Sequence, residues 1–163
     1  MKMRKYIYWL LPFLWMGVIF YASSQPYEKQ DIKPMLADGL DLSFLEPLLG
    51  WIAFTCNGSV VSVATHGIEG FIEFFIRKGA HVAVFFLLTC FFFIAIRKST
   101  ELLFKQTAAI SFFAAVAYAI IDEIHQGFTP NRTSYIGDVL LDSLGSFAAV
   151  ILFLIIRQWK NRI

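Results

Sequence analysis

The chain has 163 residues, of which 58% are hydrophobic, and 18 are phenylalanine. Only 16% are charged, the formal net charge is +2 and the mean hydropathy is +0.63. An ordinary soluble domain is excluded by so apolar a composition, no nucleic-acid partner is expected, and the chain is that of an integral membrane protein.

Taken in order, four apolar stretches are long enough to cross a bilayer, which needs about 20 helical residues. They run near 6–24, 78–96, 106–125 and 136–156. Helices are the expected spanning form, because uninterrupted apolar runs lack the alternation of a barrel strand. The expected fold is therefore all-α and polytopic: one domain over 1–163, without internal repeats, with four transmembrane helices and a long outward-facing loop over 25–76.

The first stretch follows "MKMRK" and ends near Ala22-Ser23-Ser24, features shared with a cleavable secretory signal. The length of the 6–21 apolar run and the bulky Tyr21 favour a retained span. Tyr6, Tyr8 and Trp9, with Trp159, fit an interfacial aromatic belt. In the loop, "LSFLEPLLGWIAF" at 42–54 is apolar enough for a short interfacial or re-entrant helix broken at Pro47. "NGSVVSVATH" at 57–66 has the composition of a mobile link.

From Gly67 a helical pattern resumes, with Ile68, Phe71, Ile72 and Phe75 on one face. Glu69, Glu73 and Arg77 are spaced four apart on another, so the second helix is expected to begin before the membrane. Phe85, Phe86, Phe91, Phe92 and Phe93 along it suit lipid contact or bundle packing. Cys56 in the loop and Cys90 deep in the second helix are too far apart to pair.

Basic residues set the orientation. Lys2, Arg4, Lys5, Arg97, Lys98, Lys105, Arg157, Lys160 and Arg162 fall on one side with Glu101 as the only acid, or +8. The other side carries five bases against eleven acids, or −6. Both termini are thus expected to be cytoplasmic, with the loops at 25–76 and 126–135 outside.

Counting outward from each basic boundary brings the outer helix ends together on Ser23, Ser24, Gln25, Arg77, Lys78, His81, Asp122, Glu123, His125, Gln126, Arg132, Asp138 and Asp142. Asp142 is one turn, roughly 6 Å, below Asp138. Lys78 shares a face with His81, Asp122 with His125 and Gln126, and Asp138 with Asp142 and Gly145. Gly145 would let a neighbouring helix approach closely.

Such charges can serve as interhelical glue, but ionisable groups at membrane depth are costly and usually functional. Asp122, Glu123 and His81 are the candidate acids and bases; Arg77, Lys78, Arg132, Ser24, Gln25, His125, Gln126, Asp138 and Asp142 are candidate substrate-binding residues. Ser24 would be a nucleophile only within reach of His81 or His125. His81, Asp122, His125, Asp138 and Asp142 could supply ligands to a divalent metal, but nearby bases oppose a cation and no dedicated motif is present, so no cofactor is expected.

"SSQP" closing the first helix, "RKGAH" opening the second and "DEIHQGFTPNRTSYIGD" joining the third to the fourth resemble the VanZ-like membrane proteins. The resemblance falls on Ser24, Gln25, Pro26, Lys78, His81, Asp122, Glu123, His125, Gln126, Phe128, Arg132, Asp138 and Gly145. Phe85 stands where a tyrosine is common in the family, and Asp142 where an asparagine is frequent. The resemblance implies a bacterial cell-membrane protein, whose name-giving relative is associated with teicoplanin resistance. An outward-facing site that binds or modifies an anionic envelope lipid or a glycopeptide is therefore expected. The alternatives are a small transporter and a non-catalytic adaptor for another envelope protein. Whether the site is catalytic, and the oligomeric state, stay open.

Overall fold

The computed structural model describes residues 3–162, so Lys2, counted above among the boundary bases, lies outside the described residues. Among the described residues, four helices are long and apolar enough to cross a membrane: Lys5–Ser23, Val63–Ser99, Phe104–Gln126 and Ile136–Lys160. The first opens as a 3-10 turn over Met3–Trp9 and continues as α1, Leu10–Ser23. Chain contacts divide the molecule into two compact units, residues 1–26 with 80–163, and residues 27–79.

The first unit is the helical bundle. Besides α1 it holds the later part of α4 (Val63–Ser99), then α5 (Phe104–Gln126) and α6 (Ile136–Lys160). Its core is aromatic and aliphatic: Ile19, Phe85, Leu88, Phe92, Ile96, Ala115, Tyr118, Ala119 and Val139. Phe85, Phe92 and Phe93 are buried, so bundle packing rather than lipid contact accounts for these three rings.

Polar tips lock the seams. Trp9 Nε1 donates to Ser99 Oγ at 3.1 Å, Trp15 Nε1 to the Val84 carbonyl at 3.0 Å, and Tyr118 Oη to the Met16 carbonyl at 2.7 Å. Trp9 therefore ties α1 to α4 instead of serving only as a belt residue, whereas Tyr6 and Trp159 are exposed as a belt requires. Between α4 and α6 a Cβ at Gly145 would overlap the Val82 backbone carbonyl. Small residues at such a crossing let two backbones approach, the usual device of membrane bundles.

The second unit contains far more regular structure than a loop. It begins with a 3-10 turn, Tyr27–Lys29, followed by α2, Lys33–Gly39, whose Pro34 sits in the first turn, where its missing N–H is harmless. Asp41 then closes a local turn, accepting from the Ser43 N–H and Oγ. These bonds hold its carboxyl below the usual carboxylate range.

A 3-10 turn at Ser43–Leu45 runs into α3, Glu46–Leu49. Pro47 lies at the start of α3 and opens that helix, correcting the expectation that it breaks one.

The second correction concerns 57–66. An antiparallel hairpin forms from β1, Ala53–Cys56, and β2, Ser59–Ser62, with Ala53 opposite Ser62 and Cys56 opposite Ser59. Asn57 and Gly58 both have positive φ, 49° and 78°, which is the turn that matches strand twist in a two-residue hairpin. Residues 57–62 are thus paired strand and turn, not a free link. α4 begins at Val63, ahead of the apolar stretch as expected, and is interrupted at Gly67, whose φ of 70° and ψ of 170° suit glycine alone.

The core of this unit is Leu36, Leu42 and Ile68, with Ile32, Leu45, Leu49, Val63 and Ile72 packed on it.

Candidate functional site

One end of the bundle is basic. Arg97 closes α4, its Nη1 donating to the Leu102 carbonyl at 2.7 Å, and Arg157 near the end of α6 stacks on Phe104 at 4.6 Å. Lys5 and Glu101 approach at 3.8 Å, both well exposed, a pair that contributes little to stability.

The opposite helix ends carry buried polar chemistry. Ser23 lies four residues after Ile19, so one turn carries it from the apolar core onto the same buried face. Its Oγ donates to Asp122 Oδ1 at 2.6 Å, and Gln126 Nε2 donates to Asp122 Oδ2 at 2.9 Å. Asp122 and Gln126 are one turn apart on α5, which lets the amide fold back on the carboxylate. The Ser23 carbonyl, left open by the end of α1, accepts from Thr129 Oγ1 at 3.0 Å and from Arg132 Nη1 at 3.4 Å. The connection between α5 and α6 is thereby pinned to the end of α1.

A second group lies on α4, α5 and α6. His81 Nδ1 and Asp142 Oδ1 are 3.0 Å apart, with the Asp142 side chain only 1% exposed. Asp142, where the resemblance leads to an asparagine, therefore has an imidazole partner. A carboxylate bound to one ring nitrogen fixes the tautomer and aim of the other, an arrangement suited to proton transfer.

Glu123 is 4% exposed; its Oε1 accepts from the Tyr135 N–H, and its Oε2 is buried without a hydrogen-bond partner among the described residues. Glu123 lies within electrostatic range of His81, Asp138 and Asp142, and Asp142 within range of Asp122 and Asp138. Asp138 occupies the first turn of α6, where a carboxylate faces the positive end of the helix dipole.

The bundle thus gathers Asp122, Glu123, Gln126, His81, Asp138, Asp142 and Arg132 at one end. Ser24 and Gln25 are oriented differently: Ser24 Oγ donates to the Phe20 carbonyl and Gln25 Nε2 to the Tyr21 carbonyl, both on their own helix. Ser23, which the outward count also brings to these helix ends, joins the buried network, and the Ser24 hydroxyl is engaged by its own helix rather than activated by His81 or His125. His125 stacks on Phe20, ring centroids 4.2 Å apart, with Nδ1 buried and unpartnered.

Arg77 and Lys78 belong to the other unit. There Arg77 Nη2 pairs with Glu73 Oε1 at 3.0 Å, and its guanidinium lies 4.6 Å from the Tyr27 ring centre. Tyr27 Oη also donates to Glu73, which is 4% exposed. The i, i+4 spacing on α4 marks Glu73 as a partner for Arg77, whereas its burial with Tyr27 has no signal in the sequence. Lys78 Nζ is 5.5 Å from the Phe74 ring centre. Among the described residues, no three of His, Cys, Asp and Glu are grouped so as to hold a metal ion.

A family model described as VanZ/LLP1 matches residues 8–157, nearly the whole chain and all of these polar residues. The chain belongs to the VanZ/LLP1 family. Comparison with curated proteins and with solved structures returned no match. With four candidate spans, it is a VanZ-like membrane protein.

The Ser23 network gives a direct prediction. Ser23→Ala removes a hydrogen bond to a buried carboxylate and is expected to cost about 1 kcal/mol, measured as a lower unfolding midpoint in detergent. Ser24→Ala, whose hydroxyl returns to its own helix, is expected to change stability by less than about 0.5 kcal/mol.

Proposed function

We propose that this VanZ/LLP1 protein resides in the bacterial cell membrane with both termini cytoplasmic, and that its acid-rich site faces outward. There it binds or modifies an anionic envelope lipid or a glycopeptide, lowering susceptibility to teicoplanin. The observation that carries the reading is the Glu123 carboxylate, buried at the helix ends with one oxygen held by Tyr135 N–H and the other unpartnered. A buried carboxylate oxygen without a donor is costly, and a polar head group supplies the missing donor or proton.

His81, aimed by Asp142, adds an imidazole beside the acids as a second proton-bearing group. Arg132, partly exposed on the α5–α6 connection, offers a planar guanidinium suited to phosphate or carboxylate. The acids would handle a proton or the hydroxyl and amino groups of the ligand, while Arg132 meets its anion.

A small transporter would need this polarity to continue through the bundle. Thr89 and Ser111 are buried with hydroxyls that donate to Phe85 and Thr107 carbonyls on their own helices, and Thr107 and Ser146 add two buried hydroxyls but no charge, which favours packing over conduction. A non-catalytic adaptor would not need a buried unpartnered acid.

Titration of the purified protein with phosphatidylglycerol and with teicoplanin tests the reading. Wild type is expected to bind at least one of them, and Arg132→Ala about tenfold more weakly, the loss typical of a charge-assisted hydrogen bond. Binding of neither probe, or identical binding by both proteins, would contradict it.

A further inference from the structure

The segment between the first two spans has more apolar faces than its own core uses. The 3-10 turn Ser43–Leu45 passes directly into α3, and with Leu42 before it and Gly50 and Trp51 in the turn after it the segment sorts its side chains into three groups. Leu42, Leu45 and Leu49 pack into the core of the unit. Ser43, Glu46 and Gly50 form a polar stripe. Phe44, Leu48 and Trp51, at i, i+4 and i+7, form the third and are 71%, 64% and 79% exposed.

A short segment that packs one apolar group on its core and exposes a second is suited to a second nonpolar environment. The chain itself says which. It leaves a candidate span at Ser23 and enters the next on α4, so the segment is tethered to the bilayer at both ends. We infer that the Phe44, Leu48 and Trp51 stripe seats in the interfacial layer of that bilayer, with this helical segment lying along the membrane surface. The polar stripe then faces water, and Trp51 occupies the depth that tryptophan prefers.

Charge narrows the mode of attachment. Residues 27–66 carry five acids against two bases, a net −3, so anionic head groups do not attract this segment. The anchor is apolar and aromatic, and it holds in a zwitterionic bilayer as well as in an anionic one. This attachment is independent of whatever ligand the acid-rich site takes.

Full-length protein in phosphatidylcholine vesicles provides the test, using the emission of wild type minus that of Trp51→Phe to isolate Trp51. Lipid brominated near the top of its acyl chains is expected to remove most of that difference signal, and aqueous iodide to leave it largely intact. Adding phosphatidylglycerol is expected to change neither result. Quenching by iodide but not by brominated lipid would place the stripe in water. Quenching by neither would mean that protein covers it. Either outcome would overturn the inference.

Discussion

Gly145→Ala is expected to destabilise the bundle by about 3 kcal/mol, as overpacking against an unyielding neighbour does. The added methyl group would overlap the Val82 carbonyl, a backbone group of α4 that cannot rotate away as a side chain can. Relief requires α4 and α6 to separate, and Asp142, one turn before Gly145, would be drawn away from His81. The same substitution at Gly17, where a Cβ meets nothing within 4 Å, is expected to be neutral or to stabilise by up to about 1 kcal/mol. Unfolding midpoints of the two variants in detergent therefore move apart. Equal midpoints would show that the close crossing of α4 and α6 is not a determinant of stability.

If the site takes a ligand as proposed, Glu123→Gln is expected to weaken its binding at least tenfold, the cost of one hydrogen bond from the ligand to the carboxyl group, while leaving the protein folded. Glutamine retains the shape and a carbonyl acceptor for the Tyr135 N–H, so the α5–α6 connection keeps its anchor. What disappears is the capacity of the buried Oε2 to take up or give a proton. The substitution thus separates the role of the acid from its place in the fold. Asp122 makes a poorer probe, because both of its oxygens are committed to Ser23 and Gln126 and its loss would disturb that network.

Hydropathy and charge placed the spans because both depend on residue type averaged along a helix, and four candidate spans are found. The same averaging brought Asp122, Glu123, Gln126, Asp138, Asp142, His81 and Arg132 to one end of the bundle. Rotation about each helix was harder to read. Ser23 and Ser24 differ by one residue, which turns the side chain about 100° on a helix, and only the continuation of Ile19 onto Ser23 distinguishes the buried one.

Depth places Arg77 among the outer residues and the i, i+4 spacing on α4 accounts for its pair with Glu73, whereas its approach to the Tyr27 ring is a tertiary contact that spacing does not show. The hairpin has a local signal, Asn57-Gly58 between short β-forming runs, whereas the small and polar composition of 57–66, read as a link, does not distinguish a tight turn from a free segment.

Teicoplanin susceptibility of a sensitive bacterium making either wild type or Glu123→Gln, at equal membrane levels, tests the central claim most directly. Wild type is expected to raise the inhibitory concentration, and the variant to leave it at the level of cells without the protein. Equal protection by both proteins, or protection by neither, would contradict a role for the buried acid of this site in the response to glycopeptide.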